Sequence, residues 1–242
     1  MRYFGRSVKG RRQHNEDSFY TPDCGDLDIA IVADGMGGHR AGDVASALAM
    51  EEMLLQMRRS RLVTPEKALR EAVLSANRRI YEYGELTPEC SGLGTTIVAA
   101  LLGQDAFSIC NVGDSRIYLY SDGALTRLTR DHSLVADLVR CGAISDVDAR
   151  THPYRNVITR AVGTSDAVEV DTSTHAWRED DMLLLCSDGL CGTLDDDSIR
   201  ALFDSTPDAR ALCDALVESA LESGSTDNIT AVIVVNAGGA QC

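Results

Sequence analysis

Residues 28–38 read DIAIVADGMGG, an apolar run that breaks at Asp34–Gly35. Two other stretches share this grammar. MLLLCSDGL (182–190) ends its apolar run just before Asp188–Gly189, and STDNITAVIVV (225–235) sets Asp227 just ahead of one. Short apolar runs bounded by turn residues predict strands. Working outward, strands are expected at 28–33, 95–102, 106–112, 116–120, 182–186 and 230–235. Helix signals lie between them. Residues 43–60 are rich in Ala, Leu, Met and Glu without Gly or Pro. A second helix opens with Thr64 as N-cap and Pro65 behind it, repeats Leu69, Ala72, Val73, Ala76 and Ile80 at helical spacing, and stops at Gly84. A third runs from Thr206–Pro207 through Leu212 and Leu216 to Gly224. The strands cluster like hairpins and the two longest helices are consecutive. That argues against alternating βαβ units and for an α+β fold, two antiparallel sheets with helices packed outside. The mixed, polar stretch 141–163 reads as a surface flap.

The chain has 242 residues, enough for one domain with a large core and too few for two of ordinary size. No linker, repeat or low-complexity tract divides it, so residues 1–242 are expected to form a single domain. With 23 basic and 37 acidic residues the net charge is −14, which repels nucleic-acid backbones and anionic membranes. The opening MRYFGRSVKGRRQHNED carries no apolar leader, and no apolar run is long enough to span a bilayer. None of the eight cysteines falls in a CxxC pair, and Cys186 and Cys191 lack a second ligand pair at zinc spacing. These features set the expectation of a soluble cytoplasmic protein with reduced thiols.

The placement of the acids is more informative. A carboxylate abutting a buried strand is costly to desolvate unless something positive compensates it. Asp34, Asp188 and Asp227 all sit this way with no Lys or Arg immediately beside them, so bound cations are expected. All-oxygen ligation favours Mg²⁺ or Mn²⁺ over zinc, and a glycine after Asp34 would let its backbone carbonyl serve as a ligand. Asp-Gly is also ordinary turn chemistry. Ser121–Asp122–Gly123, between IYLY and ALTRL, repeats the letters of Ser187–Asp188–Gly189 and is expected to be only a hairpin turn. Arg12 stands a few residues ahead of Glu16 and Asp17, a guanidinium suited to phosphate oxygens.

Seven strings in order, RQHNEDSF (12–19), ADGMGGHRAG (33–42), SGLGTTIVAALL (91–102), NVGDSRIYL (111–119), LTRDHSLV (128–135), CSDGL (186–190) and STDNIT (225–230), resemble the PPM or PP2C-type metal-dependent serine/threonine phosphatases in their compact bacterial form. The resemblance implies a four-layer α-β-β-α sandwich with a metal cleft at one end. It implies that Asp34 bridges two ions, with the Gly35 carbonyl on one of them and Asp188 and Asp227 on the other. Asp114 resembles the ligand of a third, looser ion shared with Asp188. Glu16 and Asp17 correspond to acceptors that orient metal-bound water, Arg12 to the substrate phosphate grip, and 141–163 to the family's flap. The chemistry implied is attack on a phosphoserine or phosphothreonine by a water or hydroxide bridging the metals, without a phosphoenzyme. Eukaryotic members carry His directly after the bridging Asp-Gly as a proposed general acid. Here Met36 takes that place, and His39 follows three residues later.

Two alternatives stand beside this reading. Cys110 and Arg116 match the C-x5-R pattern of cysteine-dependent phosphatases, although a strand rather than a helix is expected after Arg116. A catalytically inactive binding module is the other, against which all three acids are present. The expected partners are phosphoproteins, with a cognate Ser/Thr kinase or a forkhead-associated-domain protein among them. Nucleic acid and membranes are not expected, and the protein is expected to be a monomer.

Overall fold

Residues 29–36 form a strand whose side chains are buried alternately on its two faces. Ile29, Ile31 and Ala33 pack into one apolar layer, and Ala30 and Val32 into another. A strand buried on both faces reads as a continuous apolar run, which is why this stretch is legible in the sequence. The computed structural model describes residues 1–22, 27–37, 41–59, 63–90 and 92–238.

In chain order the strands are β1 (Arg2–Val8), β2 (Asp17–Tyr20), β3 (Ile29–Met36), β4 (Gly94–Thr95), β5 (Ile97–Leu102), β6 (Ala106–Val112), β7 (Arg116–Ser121), β8 (Ala124–Arg127), β9 (Asp171–Ala176), β10 (Met182–Cys186) and β11 (Ile229–Val235). The α-helices are α1 (Ala41–Arg59), α2 (Pro65–Leu86), α3 (Leu134–Arg140), α4 (Asp146–Thr151), α5 (Asp188–Cys191), α6 (Asp196–Ser205) and α7 (Ala209–Glu222). One sheet has the order β1-β11-β10-β7-β8 and the other β2-β3-β5-β6-β9, with β4 added to β3. Every pairing is antiparallel.

Three apolar layers hold the sandwich together. Between the sheets lie Val32, Val98, Phe107, Ile117, Leu183, Leu185, Val232 and Val234. Outside the second sheet, Ile31, Ala99 and Cys110 meet Ala45, Met53, Leu69 and Ile80 of α1 and α2. Outside the first, Leu184, Ala231 and Ile233 meet Ile199, Phe203, Leu212 and Leu216 of α6 and α7. This is the expected α-β-β-α architecture. Among the described residues no helix is long and apolar enough to cross a membrane.

The differences from the sequence reading are local. Helix α2 runs past Gly84 to Leu86, and Gly84 serves packing rather than termination, since a Cβ there would lie 2.6 Å from Leu93 Cδ2. The third expected helix begins later, with Asp208 rather than Thr206 as N-cap, its carboxylate accepting from the Ala211 amide. Within 141–163, residues 158–163 are not a free surface. Val162 exchanges two 2.9 Å backbone hydrogen bonds with Thr95, and Ile158 bridges Ser133. The exposed part is the earlier portion around α4.

Candidate active site

The antiparallel register sets Asp17 of β2 directly across from Asp34 of β3. Like charges in that position oppose each other, so sheet pairing alone would disfavour them. Other acids come to the same end of the sandwich. Asp188 is the first residue of α5 after β10, Asp227 lies just before β11, and Asp114 lies in the β6–β7 connection. Burial, then the charges of Asp17, Asp188, Asp114 and Asp227, push the Asp34 carboxyl well above the carboxylate range. Burial and the Asp227 charge raise Asp188 as well, while its hydrogen bond to Asp34 acts the other way. Burial raises Asp114 to about 8, with help from Asp188 and Asp131. Asp17 reaches about 7 through burial, despite hydrogen bonds to Oδ2 from Thr230 (2.6 Å) and Ser187 (2.8 Å).

Backbone bonds fix where these acids stand. The Asp34 carbonyl accepts from the Thr96 amide and the Thr95 hydroxyl, both at 2.8 Å, and the Asp34 amide donates to Thr96 Oγ1 at 3.1 Å. Behind the acids, Gly35 and Gly189 are glycines because neighbouring backbone leaves no room. A Cβ on Gly35 would lie 2.0 Å from the Gly42 carbonyl oxygen, and one on Gly189 1.9 Å from that of Asn228. Asp122–Gly123 is different: both residues have positive φ (50° and 75°) and a Cβ on Gly123 would meet nothing. It is the hairpin turn between β7 and β8, as expected, and Asp122 pairs with Arg178.

The 9–17 loop is stapled over the cluster by Asn228. Its Nδ2 donates to the carbonyls of Lys9 and His14, both at 2.9 Å, and its Oδ1 accepts from the Glu16 amide at 2.8 Å. Arg12, largely exposed, donates to Asp227 Oδ2 at 2.7 Å, which raises its already high pKa. Glu16 is half-buried, its pKa raised by desolvation. Sequence reasoning did not single out Asn228, Ser187 or Thr230. Their only signal was adjacency to the acids, since the network appears once β10 and β11 pair. His39 lies outside the described residues.

The donor set fits hard divalent cations. Buried Asp17 Oδ1 and Asp188 Oδ1 have no hydrogen-bond partner, an arrangement that is costly unless an ion or water completes it. Among the described residues no three His, Cys, Asp or Glu side chains form a ready-made cage. Ions here would therefore be held by few carboxylates, backbone oxygen and water, the coordination Mg²⁺ favours. The cysteine alternative fails on geometry. Cys110 is fully buried inside β6, hydrogen-bonded between β5 and β9, and burial pushes its thiol up to about 12. Arg116 is locked to Asp131 at 2.7 Å and to the Cys191 carbonyl at 3.3 Å.

The family model described as Protein phosphatase 2C matches residues 4–228. This chain belongs to the protein phosphatase 2C family. It is 41% identical over 237 residues to the Serine/threonine phosphatase stp of Listeria monocytogenes, covering 95% of this chain and 93% of that one. The crystal structure of Serine/threonine phosphatase Stp1 from Staphylococcus aureus superposes with a TM-score of 0.90 at 33% identity, covering 96% and 94% of the two chains. The catalytic domain of serine threonine protein phosphatase PstP, solved in complex with two manganese ions, gives 0.86 at 35% identity and covers 96% of each chain. The protein is a metal-dependent serine/threonine phosphatase of the bacterial type, with the family's fold.

Proposed function

We propose that in this phosphatase Asp34, the Gly35 carbonyl, Asp188 and Asp227 hold two Mn²⁺ or Mg²⁺ ions, and that Asp114 with Asp188 takes a third, looser one. The observation that carries the assignment is the convergence of mutually repelling acids, two of them with orphaned oxygens. Bound there, the ions supply Lewis acidity, lowering the pKa of water to make a nucleophile near neutral pH and offsetting phosphoryl charge. The chain's own residues do the rest. Arg12, tethered through one nitrogen to Asp227, keeps its other N–H groups for the oxygens of a phosphoserine or phosphothreonine. Ionised Asp17 presents Oδ1 as an acceptor that orients water, while Ser187 and Thr230 occupy Oδ2. Glu16, set by Asn228, is a second such acceptor at the rim. His39 is the side chain assigned to protonate the leaving hydroxyl. The exposed part of 141–163 is assigned to substrate choice, and the substrates to proteins phosphorylated by a cognate Ser/Thr kinase, the kinase itself or a forkhead-associated-domain protein included. A monomer acting in the cytoplasm completes the reading.

The test is hydrolysis of a phosphothreonine peptide with Mn²⁺, with Mg²⁺ and with excess chelator, for wild type and Asp188→Asn. Metal-dependent turnover that falls by about a hundredfold or more in the variant supports the assignment. Turnover that survives both chelator and substitution removes it.

A further inference from the structure

His132 is buried, and the chemistry described above makes no use of it. Its Nδ1 lies 3.0 Å from the Gly113 amide nitrogen, and its own amide donates to the Gly113 carbonyl at 2.9 Å. One residue thus grips both polar groups of Gly113, which has a φ of 107° and directly precedes Asp114. On the other side of Asp114, the Ser115 hydroxyl shares a 2.7 Å hydrogen bond with Thr96 Oγ1, the atom that accepts from the Asp34 amide. Asp114 therefore stands between two anchored neighbours, one tied to Asp34 and the other to His132.

The two ring nitrogens meet opposite demands. A backbone N–H can only donate, so Nδ1 must turn its lone pair to Gly113. Nε2 faces Asp171 Oδ2 at 3.3 Å, an acceptor, so the ring proton belongs on Nε2. Arg160 Nη1 is 3.1 Å from Nε2 and donates to Asp171 Oδ1 at 2.9 Å, while its Nη2 donates to Glu169 at 2.8 Å. Burial, then the Arg160 charge, hold the His132 pKa below the usual imidazole value, against the pull of Asp171 and Asp131. The neutral ring protonated on Nε2 is the form these neighbours select. It is also the form that can hold Gly113, since an imidazolium would set N–H against N–H.

The backbone of His132 is fixed independently of the ring. Its carbonyl accepts from the Thr159 amide at 2.8 Å, and the Leu134 amide donates to the Val157 carbonyl at 2.8 Å. Changing the side chain therefore releases the Nδ1 contact while the backbone bonds of the segment remain.

We propose that His132 is a positioning residue for the third ion: its Nδ1, through the Gly113 amide, holds the β6–β7 connection so that Asp114 can share that ion with Asp188. This rests on the assignment of Asp114 to the third ion. Asp34, Asp188 and Asp227 stand on other connections, so the two tighter ions are independent of the His132 ring.

The experiment compares His132→Asn, whose Oδ1 reaches the place of Nδ1, with His132→Gln, whose side-chain amide reaches only the place of Nε2. Hydrogen exchange at the Gly113 amide is followed by NMR in the Mg²⁺-loaded protein, and Mn²⁺ affinities by titration with electron paramagnetic resonance. In His132→Gln, Gly113 exchange should quicken by about tenfold and the weakest Mn²⁺ site should loosen by about fivefold or more, with the tighter sites unchanged. His132→Asn should restore both to within about twofold of wild type. Asp114→Asn is the control. If it leaves the weakest Mn²⁺ site intact, the third-ion assignment fails and the proposal falls with it. If it abolishes that site while His132→Gln does not loosen it, or if Asn and Gln behave alike, the proposal alone is overturned. Should His132→Gln not fold, the ¹⁵N shifts of the wild-type imidazole decide: a proton on Nε2 with Nδ1 bare is expected, and a proton on Nδ1 refutes the grip on Gly113.

Discussion

Replacing Asp17 by Asn should stabilise the metal-free protein and weaken the metal-loaded one. The variant keeps the shape and the hydrogen bonds from Ser187 and Thr230 while removing a charge that faces Asp34 across two paired strands. In the folded chain Asp17 holds its proton to about pH 7 instead of 3.8. The folded state therefore binds more protons than the unfolded state between those values, and stability falls as pH rises through that window. At pH 8 the ionised group costs roughly 4 kcal/mol, an upper figure because its neighbours titrate with it. Asp17→Asn should thus raise Tm in chelator at pH 8 by about 5–10 °C and change little at pH 4. With saturating Mn²⁺ the same variant should lose turnover, since Oδ1 no longer orients water as an anion. Thermal melts at both pH values, with chelator and with metal, test this directly. A chelated variant less stable than wild type at pH 8, or a gain independent of pH, would refute the electrostatic account.

The other expectations concern separate parts of the fold. Gly189→Ala forces a Cβ against the Asn228 carbonyl and should cost about 3 kcal/mol or more in urea denaturation, whereas Gly123→Ala, strained only by its positive φ, should cost about 1–2. Arg12→Ala should lower kcat/KM on a phosphothreonine peptide by about tenfold or more, mostly through KM. Iodoacetamide should leave activity unchanged, because the buried Cys110 thiol stays protonated far above neutral pH; rapid inactivation protected by phosphate would contradict this.

Strands that are apolar on both faces were legible in the sequence, as was the half-buried β7, expected at 116–120, whereas the polar edge strands were not. β3, β6, β10 and β11 are nearly continuous apolar runs, and their bounds were expected to within a few residues. β1 (RYFGRSV), β2 (DSFY) and β9 (DTSTHA) stand at sheet edges, half-buried and rich in polar residues, so no run announces them. Asp34, Asp188 and Asp227 were readable because each interrupts or precedes an apolar strand. Asp17 could be named only through the family resemblance, since its burial comes from a pairing partner seventeen residues away. Asn228 was invisible for the same reason, as its three contacts reach back to residues 9–16.

The pairing of β1 with β11 has a temporal side. Among the described strands β11 comes last in the chain, yet it sits between β1 and β10, and Asp227 and Asn228 immediately precede it. While the chain is being synthesised, β1 and the 9–17 loop must wait for it, and a sheet built on such distant pairing forms slowly. A nascent chain that ends before residue 228 lacks both the staple and the strand that joins β1 to β10. Docking of β11 therefore closes the sheet and delivers Asp227 and Asn228 to the acid cluster in a single event.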